Sequence, residues 1–190
     1  MTKSILLVGV GGQGTILASK LLTIGLLESG CDVKMSEIHG MSQRGGSVSS
    51  QVRYGEKVHS PVIELGGADV LVSFEQMEAL RWLEYLKPDG RIIVNDYRIN
   101  PMPVVSAKAE YPDGIIDYLK TKAPSTVFDA AGEAERLGNA KVMNIILLGA
   151  TIRLVGLESI DWETIIRQNI KPGFVDVNIK ALHRGKDLVG

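Results

Sequence analysis

Short apolar runs and amphipathic stretches alternate along most of the chain, and this pattern predicts strands that alternate with helices. Residues 4–8 form an apolar run that ends in glycines, which is typical of a strand buried on both faces of a parallel sheet. Residues 15–27 follow with helical spacing. Further strands are predicted at 32–36, 68–73, 91–95 and 125–128. Further helices are predicted at 75–86, 114–121, 131–155, where LGNA is a candidate break, and 161–170, with a last helix after the Pro172–Gly173 break. The expected fold is α/β, a Rossmann-like three-layer domain whose mainly parallel sheet has helices on both faces.

Two segments predict a less regular part of the sheet. Residues 46–54 alternate Val48, Ser50, Val52 and Tyr54 with polar positions, which favours a strand with one face in solvent. The turn that follows indicates a hairpin through Gly55. Residues 104–107 predict one more short strand.

The length and composition of the chain exclude several classes of function. Its 190 residues are enough for one sizeable core, and we expect a single domain over residues 1–190. The net charge of −1 gives no electrostatic basis for binding nucleic acid or an anionic membrane. Aromatic residues make up only 5% of the sequence, which argues against an array of base-stacking platforms.

Cys31 is the single cysteine in the sequence. It cannot form an internal disulfide, and one thiolate cannot supply the four ligands of an iron–sulfur cluster. We expect Cys31 to be a small buried hydrophobic side chain and not a catalytic thiol, which would need an exposed electropositive site. No apolar run reaches the length of a signal sequence or a membrane span, so the expected location is the cytoplasm.

The segment after the first predicted strand reads GVGGQG and has the spacing of a phosphate-binding loop. Gly9, Gly11 and Gly14 match G-x-G-x-x-G between a strand and a helix. In such loops the first glycine permits the turn, the second lets the backbone approach a pyrophosphate, and the third packs helix against strand. Gly12 adds backbone freedom, and Gln13 adds a side-chain amide that could either face a ligand or cap the helix.

Residues 37–47, EIHGMSQRGGS, stand where a dinucleotide-binding chain ends its second strand on an acid, and Glu37 supplies that acid. The segment has three glycines and no apolar periodicity, which is typical of a functional loop, although the glycines could equally serve a tight crossover. Arg44 is the strongest candidate, because a guanidinium grips a phosphate or carboxylate through two hydrogen bonds; a salt bridge to a partner is the alternative. The candidate ligand or partner residues of the two loops are Gly9, Gly11, Gly12, Gln13, Gly14, Glu37, His39, Gly40, Ser42, Gln43, Arg44, Gly45 and Gly46.

The sequence contains no complete set of reacting groups, and we predict neither catalytic nor metal-binding residues. The three histidines lack metal-ligand spacing, and the signatures of ATPases and of thiamine diphosphate sites are absent. Glu75 and Glu78 could form an acid–base pair, but their spacing in a first helical turn favours compensation of the helix dipole. Asn144, in an apolar helix, is expected to be a buried polar group bonded to backbone.

Four segments together resemble the gamma-type domain of 2-oxoacid:ferredoxin oxidoreductases. They are LLVGVGGQGTILASKLL, EIHGMSQRGGSVSSQVRYG, SPVIELGGADVLVSFE and NIILLGA. The resemblance extends from residue 5 to about residue 150, and the GMSQRGG form is most similar to the small (beta) subunits of indolepyruvate:ferredoxin oxidoreductases.

The resemblance implies a subunit of a complex that oxidatively decarboxylates a 2-oxo acid, with indolepyruvate or another arylpyruvate as the expected substrate. Coenzyme A is then the co-substrate, and ferredoxin, an indirect partner, receives the electrons. The resemblance also implies that this chain alone binds no cofactor. Thiamine diphosphate, magnesium and iron–sulfur clusters would belong to a large subunit or to alpha and beta subunits, which residues 37–47 would face. A homodimer is expected when the chain is alone.

The residues leave two other interpretations open. One is a self-sufficient Rossmann-type oxidoreductase that uses NAD or a flavin, as the glycine loop and Glu37 would allow. The other is a stand-alone module that binds an acyl-CoA or a nucleotide.

Overall fold

Six strands and eight helices are present in the computed structural model, which describes residues 2–40 and 45–189 apart from the side chain of His39. The strands are β1 (Lys3–Val10), β2 (Asp32–His39), β3 (Ser47–Gly55), β4 (Ala68–Ser73), β5 (Leu86–Asn95) and β6 (Ser125–Phe128). The helices are α1 (Thr15–Glu28), α2 (Gln76–Arg81), α3 (Met102–Val105), α4 (Ile115–Lys122), α5 (Ala130–Arg136), α6 (Met143–Val155), α7 (Trp162–Asn169) and α8 (Val175–Asp187).

One sheet contains all six strands in the order β2-β3-β1-β4-β5-β6. β1, β4, β5 and β6 pair in parallel, whereas β3 is antiparallel to both of its neighbours, β1 and β2. Five strands therefore point in one direction, which confirms the predicted mainly parallel α/β fold. A dinucleotide-binding sheet places its second strand beside the first. Here β3 occupies that position, and β2 is displaced to the outer edge.

The strand β3 differs most from the sequence-based expectation. Residues 48–52 are all buried, so the strand predicted to have one face in solvent is covered on both faces. The predicted hairpin through Gly55 is also wrong, because β3 ends there and pairs back onto β2 and β1. The polar side chains of this strand, such as Ser50, alternate with apolar ones as they would in a strand with one face in solvent. The alternation cannot show that other elements cover the polar positions.

Three other predicted elements differ from the structure in their bounds or their type. β2 continues to His39, so Glu37 and His39 belong to a strand and not to the loop after it. Residues 102–105 form the short helix α3, where a strand was expected nearby. The helix expected over 75–86 ends at Arg81, and β5 already begins at Leu86, with an irregular register against β4.

Helices cover both faces of the sheet, as predicted. On one face α1, α6, α7 and α8 bury side chains such as Leu7 and Val72. On the other face α2 and α4 cover Val94 and its neighbours. Cys31 was expected to be buried, but it is a free thiol of intermediate burial that packs against the core on the α1 face.

The helices α6 and α8 cross with their backbones in contact. A Cβ atom at Gly149 would lie 2.2 Å from the carbonyl oxygen of Leu182, and one at Gly185 would lie 1.9 Å from that of Ile146. Side chains at either glycine would therefore force the helices apart. Although α6 is strongly apolar, neither it nor any other helix within the described ranges is long and apolar enough to cross a bilayer.

Candidate functional site

The side chain of Gln13 braces the glycine loop between β1 and α1. Its Oε1 accepts a hydrogen bond from the Val10 amide, and its Nε2 donates to the Phe74 carbonyl, both at 2.8 Å. The N-cap of α1 is Gly14, without a side-chain hydrogen bond. Gly9 lies under this brace, because a Cβ atom there would be 2.9 Å from both Gln13 and Phe74. The Gln13 amide thus ties the loop to the residue after β4.

The remaining glycines of the loop permit close contacts with other segments. Gly12 and Gly14 have φ values of 103° and 82°, a backbone region that favours glycine. The Asn144 Nδ2 donates to the Gly14 carbonyl at 3.2 Å, and a Cβ atom at Gly14 would lie 2.5 Å from this nitrogen. The Gly11 amide donates to the Gly46 carbonyl at 2.9 Å. The Gly11 amide, a backbone group that a pyrophosphate could approach, is therefore paired with the loop after β2.

Glu37 does not lie beside the glycine loop. It is on the outermost strand, directly opposite Ser50 of β3. Two strand spacings, roughly 10 Å, separate its backbone from β1. The Ser19 hydroxyl on α1 donates to the Glu37 Oε1 at 3.2 Å. A ribose contact needs the acid on the strand next to β1, and this strand order does not provide it.

The loop between β2 and β3 closes against the glycine loop at the carboxyl edge of the sheet. The Gly40 amide donates to the Ser47 carbonyl at 3.2 Å, and Gly45 adopts a φ of 79°. With the bond from Gly11 to Gly46, these contacts bring both predicted glycine-rich segments together. The predicted residues Ser42, Gln43 and Arg44, and the side chain of His39, lie outside the described part of the chain.

A cavity of about 280 Å³ opens beside these two loops. Its lining combines Val10, Gly45 and Ser47 with Glu75, Met77, Glu78, Arg81, Ile99 and Pro101. Of these, only Gly45 is among the loop candidates from the sequence. The others come from segments far apart in the chain, and no local motif links them.

Glu75 is buried at the wall of this cavity and accepts hydrogen bonds from three donors. Only 1% of it is exposed, and its Oε2 accepts from the Glu78 amide at 2.9 Å. It thereby caps α2, as the dipole interpretation predicts. Its Oε1 accepts from the Tyr111 hydroxyl and, at 3.2 Å, from the Ile99 amide. The carboxylate therefore also anchors the segment that follows β5.

Glu78 is the second buried carboxylate of the cavity. It accepts hydrogen bonds from the Ser47 hydroxyl, from the Trp82 indole at 3.3 Å and from the Arg81 guanidinium at 3.1 Å. These contacts link α2 to the first residue of β3. Like Glu75, Glu78 is satisfied by neighbouring groups and holds the architecture of this edge.

Tyr111 fastens the far end of the segment that follows β5. Burial, together with its hydrogen bond to Glu75, raises the pKa of Tyr111 above its ordinary value, so the hydroxyl remains a donor. Arg98 lies 5.1 Å from the centre of the Tyr111 ring, and its Nε donates to the Gln76 Oε1 at 3.2 Å. Residues 96–113 are thus clamped to the start of α2, a feature with no local signal in the sequence.

The side chains of the described residues do not suit a resident metal ion. No group of three or more His, Cys, Asp or Glu side chains in the described ranges could hold a metal ion. With a single cysteine in the whole sequence, the chain also does not suit an iron–sulfur cluster. The residues present therefore do not fit the magnesium ion or the clusters that the resemblance assigns to partner chains.

Comparison with known proteins identifies the family. The model of the family "pyruvate ferredoxin/flavodoxin oxidoreductase" matches residues 4–188. Indolepyruvate oxidoreductase subunit IorB of Thermococcus kodakarensis is 37% identical over 199 residues, which cover 98% of each chain. 2-Oxoglutarate synthase subunit KorC of Methanothermobacter marburgensis is 28% identical, over 100% of this chain and 97% of its own. The crystal structure of pyruvate oxidoreductase subunit PORC from Thermotoga maritima has a TM-score of 0.74 at 25% identity, over 98% of this chain and 96% of that chain. The chain therefore belongs to the pyruvate ferredoxin/flavodoxin oxidoreductase family, in which these relatives of matching length are subunits of oxidoreductases acting on 2-oxo acids.

Proposed function

We propose that this chain is the small, non-catalytic subunit of a thiamine-diphosphate-dependent complex that converts an arylpyruvate, such as indolepyruvate, to an acyl-CoA and reduces ferredoxin. The observation that supports this most is the match to IorB, at 37% identity over 98% of both chains. KorC matches over a similar length at 28% identity. The difference in identity favours indolepyruvate over 2-oxoglutarate as the substrate.

The residues of the chain support a division of labour with a larger partner. Glu75 and Glu78 are held in internal hydrogen bonds, and Cys31 is the single cysteine. We therefore assign thiamine diphosphate, magnesium and the iron–sulfur clusters to the partner. Coenzyme A is the co-substrate, and ferredoxin meets the partner.

The carboxyl edge of the sheet has the character of a docking surface. Five large apolar side chains are exposed around it, namely Ile16, Ile38, Tyr97, Met102 and Val105, and we call them the docking edge. Met102 and Val105 on α3 are 74% and 65% exposed. Large apolar side chains that are exposed together commonly mark interaction sites. We assign this edge to the larger subunit, because its members lie on or next to elements at the edge of the sheet where both glycine-rich loops begin.

We assign the loop of residues 40–46 to the same interface. Gly45 lines the cavity beside α2, and the Gly46 carbonyl accepts a hydrogen bond from the glycine loop, so these two described residues lie at the same edge. Arg44, outside the described residues, is our candidate for a contact with a partner carboxylate or a phosphate of coenzyme A.

Reconstitution tests the proposed function. The chain, the larger subunit and their mixture are each assayed for viologen reduction with coenzyme A and indolepyruvate, with pyruvate and 2-oxoglutarate as comparison substrates. We expect turnover only in the mixture and a preference for indolepyruvate. Turnover by the small chain alone would contradict its non-catalytic role. Full turnover by the larger subunit alone would show that the small subunit is not required. A preference for 2-oxoglutarate would overturn the assignment of indolepyruvate as the substrate.

The self-sufficient NAD- or flavin-dependent oxidoreductase has less support from the geometry. The Gly11 amide is bonded to Gly46, and Glu37 lies on the strand beyond β3, where it accepts from Ser19. The loop amide at Gly11 is thus already hydrogen-bonded to protein, and the acidic residue lies away from the glycine loop. A glycine loop can persist when its ligand does not, because fold and function are separable.

A further inference from the structure

A second cavity, of about 300 Å³, lies on the α1 face of the sheet. The sequence has six asparagines, and four of them line this cavity: Asn139, Asn144, Asn169 and Asn178. They come from the turn before α6, the first turn of α6, the end of α7 and the first turn of α8. We call it the asparagine cavity. Such a convergence of one residue type from four segments indicates a built site.

Asn144 indicates that a hydrogen-bond donor belongs in the asparagine cavity. It is only 4% exposed, and its Nδ2 donates to the Gly14 carbonyl at 3.2 Å. Its Oδ1 is buried and has no hydrogen-bond partner among the described residues. An unpaired buried acceptor is unfavourable, so a ligand that donated a hydrogen bond to this oxygen would be stabilised. Sequence reasoning expected a satisfied Asn144, and the structure satisfies only half of its amide.

The other three asparagines each bond to backbone through one half of the amide. Asn139 accepts from the Lys141 amide at 3.0 Å, and Asn169 and Asn178 donate to carbonyls at 2.9 and 2.7 Å. These bonds fix the orientation of each side chain. The asparagine cavity therefore presents amide groups, which both donate and accept, from several directions.

The asparagine cavity also favours an anion. Lys141 and Lys171 line it, and no carboxylate is among its lining residues in the described part of the chain. The lining also includes residues from the first turns of three helices, namely Leu17 of α1, Asn144 of α6 and Asn178 of α8. The amino ends of helices carry partial positive charge and attract phosphate groups. The acid on the first turn of α8 is exposed and does not line the cavity.

Phe174 adds an aromatic surface beside these polar groups. It is 50% exposed and lines the asparagine cavity together with Val142 and Ile170. Aromatic side chains of this kind stack on nucleobases, whatever the identity of the base. A ligand that uses every part of the cavity thus combines a phosphate, a planar ring and a hydrogen-bond donor.

We propose that the asparagine cavity binds the nucleotide portion of a ligand. The phosphate lies between Lys141 and Lys171, the base stacks on Phe174, and a base or ribose donor reaches Asn144. The nucleotide could be free, or it could be the nucleotide end of coenzyme A. Only the second source rests on the proposed function, and both present the same chemistry to the cavity.

Titration calorimetry of the full 190-residue chain with ADP, coenzyme A and pyrophosphate tests this site. We expect the nucleotides to bind, and the double variant Lys141→Ala/Lys171→Ala to weaken their binding at least tenfold. The matched control Lys120→Ala/Lys180→Ala removes two exposed lysines outside the cavity and should change affinity less than twofold. Phe174→Ala should weaken the binding of ADP and leave the binding of pyrophosphate unchanged.

The outcomes separate the sources and can overturn the site. Binding of coenzyme A at least tenfold tighter than ADP assigns the nucleotide to coenzyme A, and equal binding assigns it to a free nucleotide. No binding at millimolar concentration, or binding unaffected by the lysine double variant, overturns the proposal. Pyrophosphate binding as tight as ADP overturns the nucleotide assignment. These measurements need no turnover, so ADP binding would stand even if reconstitution showed no 2-oxo acid oxidation.

Discussion

The side chain of Gln13 joins the glycine loop to Phe74 across 61 positions of the sequence, through a hydrogen bond of 2.8 Å from its Nε2 to the Phe74 carbonyl. Its Oε1 accepts from the Val10 amide within the loop. One amide group thus holds a loop of dinucleotide-binding form in place against β4. The contact fixes the shape of the loop through protein groups.

Replacing Gln13 by alanine should destabilise the fold. The change removes both hydrogen bonds, and the loss should be about 1–3 kcal/mol in the free energy of unfolding, because the Val10 amide loses its acceptor. Urea denaturation of the isolated chain measures it. Gln168→Ala, at an exposed position of α7, is the matched control and should change stability by less than about 0.5 kcal/mol. Equal stability of the two variants would show that Gln13 does not hold the loop.

Polar substitutions at the docking edge should weaken assembly with the larger subunit. Met102→Ser/Val105→Ser removes the two most exposed members, and we expect a loss of about 1–3 kcal/mol in binding free energy if they are central contacts. Biolayer interferometry against the larger subunit measures the affinity. The control is Leu27→Ser/Leu65→Ser, at positions 52% and 62% exposed near the opposite edge of the sheet. A loss confined to the control would place the interface at the amino edge.

Tyr111→Phe should loosen the segment that follows β5. The substitution removes the hydroxyl that donates to Glu75 and accepts from the Met77 amide at 3.0 Å. We expect a loss of about 1–3 kcal/mol, because Glu75 stays buried with one donor fewer. Hydrogen exchange should accelerate in residues 96–113. Tyr118→Phe, whose parent residue is 47% exposed, should leave exchange unchanged. Unchanged protection in Tyr111→Phe would mean that the clamp depends on other contacts.

Gly185→Ala should be strongly destabilising. Its Cβ atom would meet the Ile146 carbonyl at 1.9 Å, and backbone atoms cannot rotate away as a side chain can. Overpacking of this kind typically costs about 1–3 kcal/mol, and we expect the upper end of that range in thermal denaturation. Gly173→Ala is the matched control, since no atom lies within 4 Å of its Cβ position. If Gly185→Ala melted with the control, α6 and α8 could separate at little cost.

The ion pair between Arg184 and Glu133 should make stability depend on pH. Hydrogen bonds from Arg184, at 2.7 and 3.1 Å, hold the pKa of Glu133 below its ordinary value of 4.5, against the opposing effect of burial. The pair therefore stabilises the fold above that pH and loses its effect as pH falls through the lowered pKa. Arg184→Gln should lower the free energy of unfolding at neutral pH, and the loss should become progressively smaller in acid. Urea denaturation at several pH values, with Arg153→Gln for comparison, measures this. A loss independent of pH would assign the role of Arg184 to packing.

The local pattern of the sequence was sufficient to predict those elements that depend only on residues close together in the chain. The apolar run of β1, the glycines after it and the helical spacing of α1 occur within residues 3–28, and the structure confirms all three. The placement of Glu75 and Glu78 at a helix start was also predictable from their spacing, although only the structure shows that Glu75 caps α2. The resemblance, carried by quoted motifs, gave the family.

Contacts between distant segments were decided by the tertiary structure alone. The antiparallel β3 inserts between β1 and β2, and this single pairing moves Glu37 away from the glycine loop and buries Ser50. The contact of Gln13 with Phe74 and the convergence of four asparagines on one cavity likewise join residues that no periodicity relates. Periodicity reports which side of an element is apolar, whereas strand order and side-chain partners depend on the free energy of the whole packed chain.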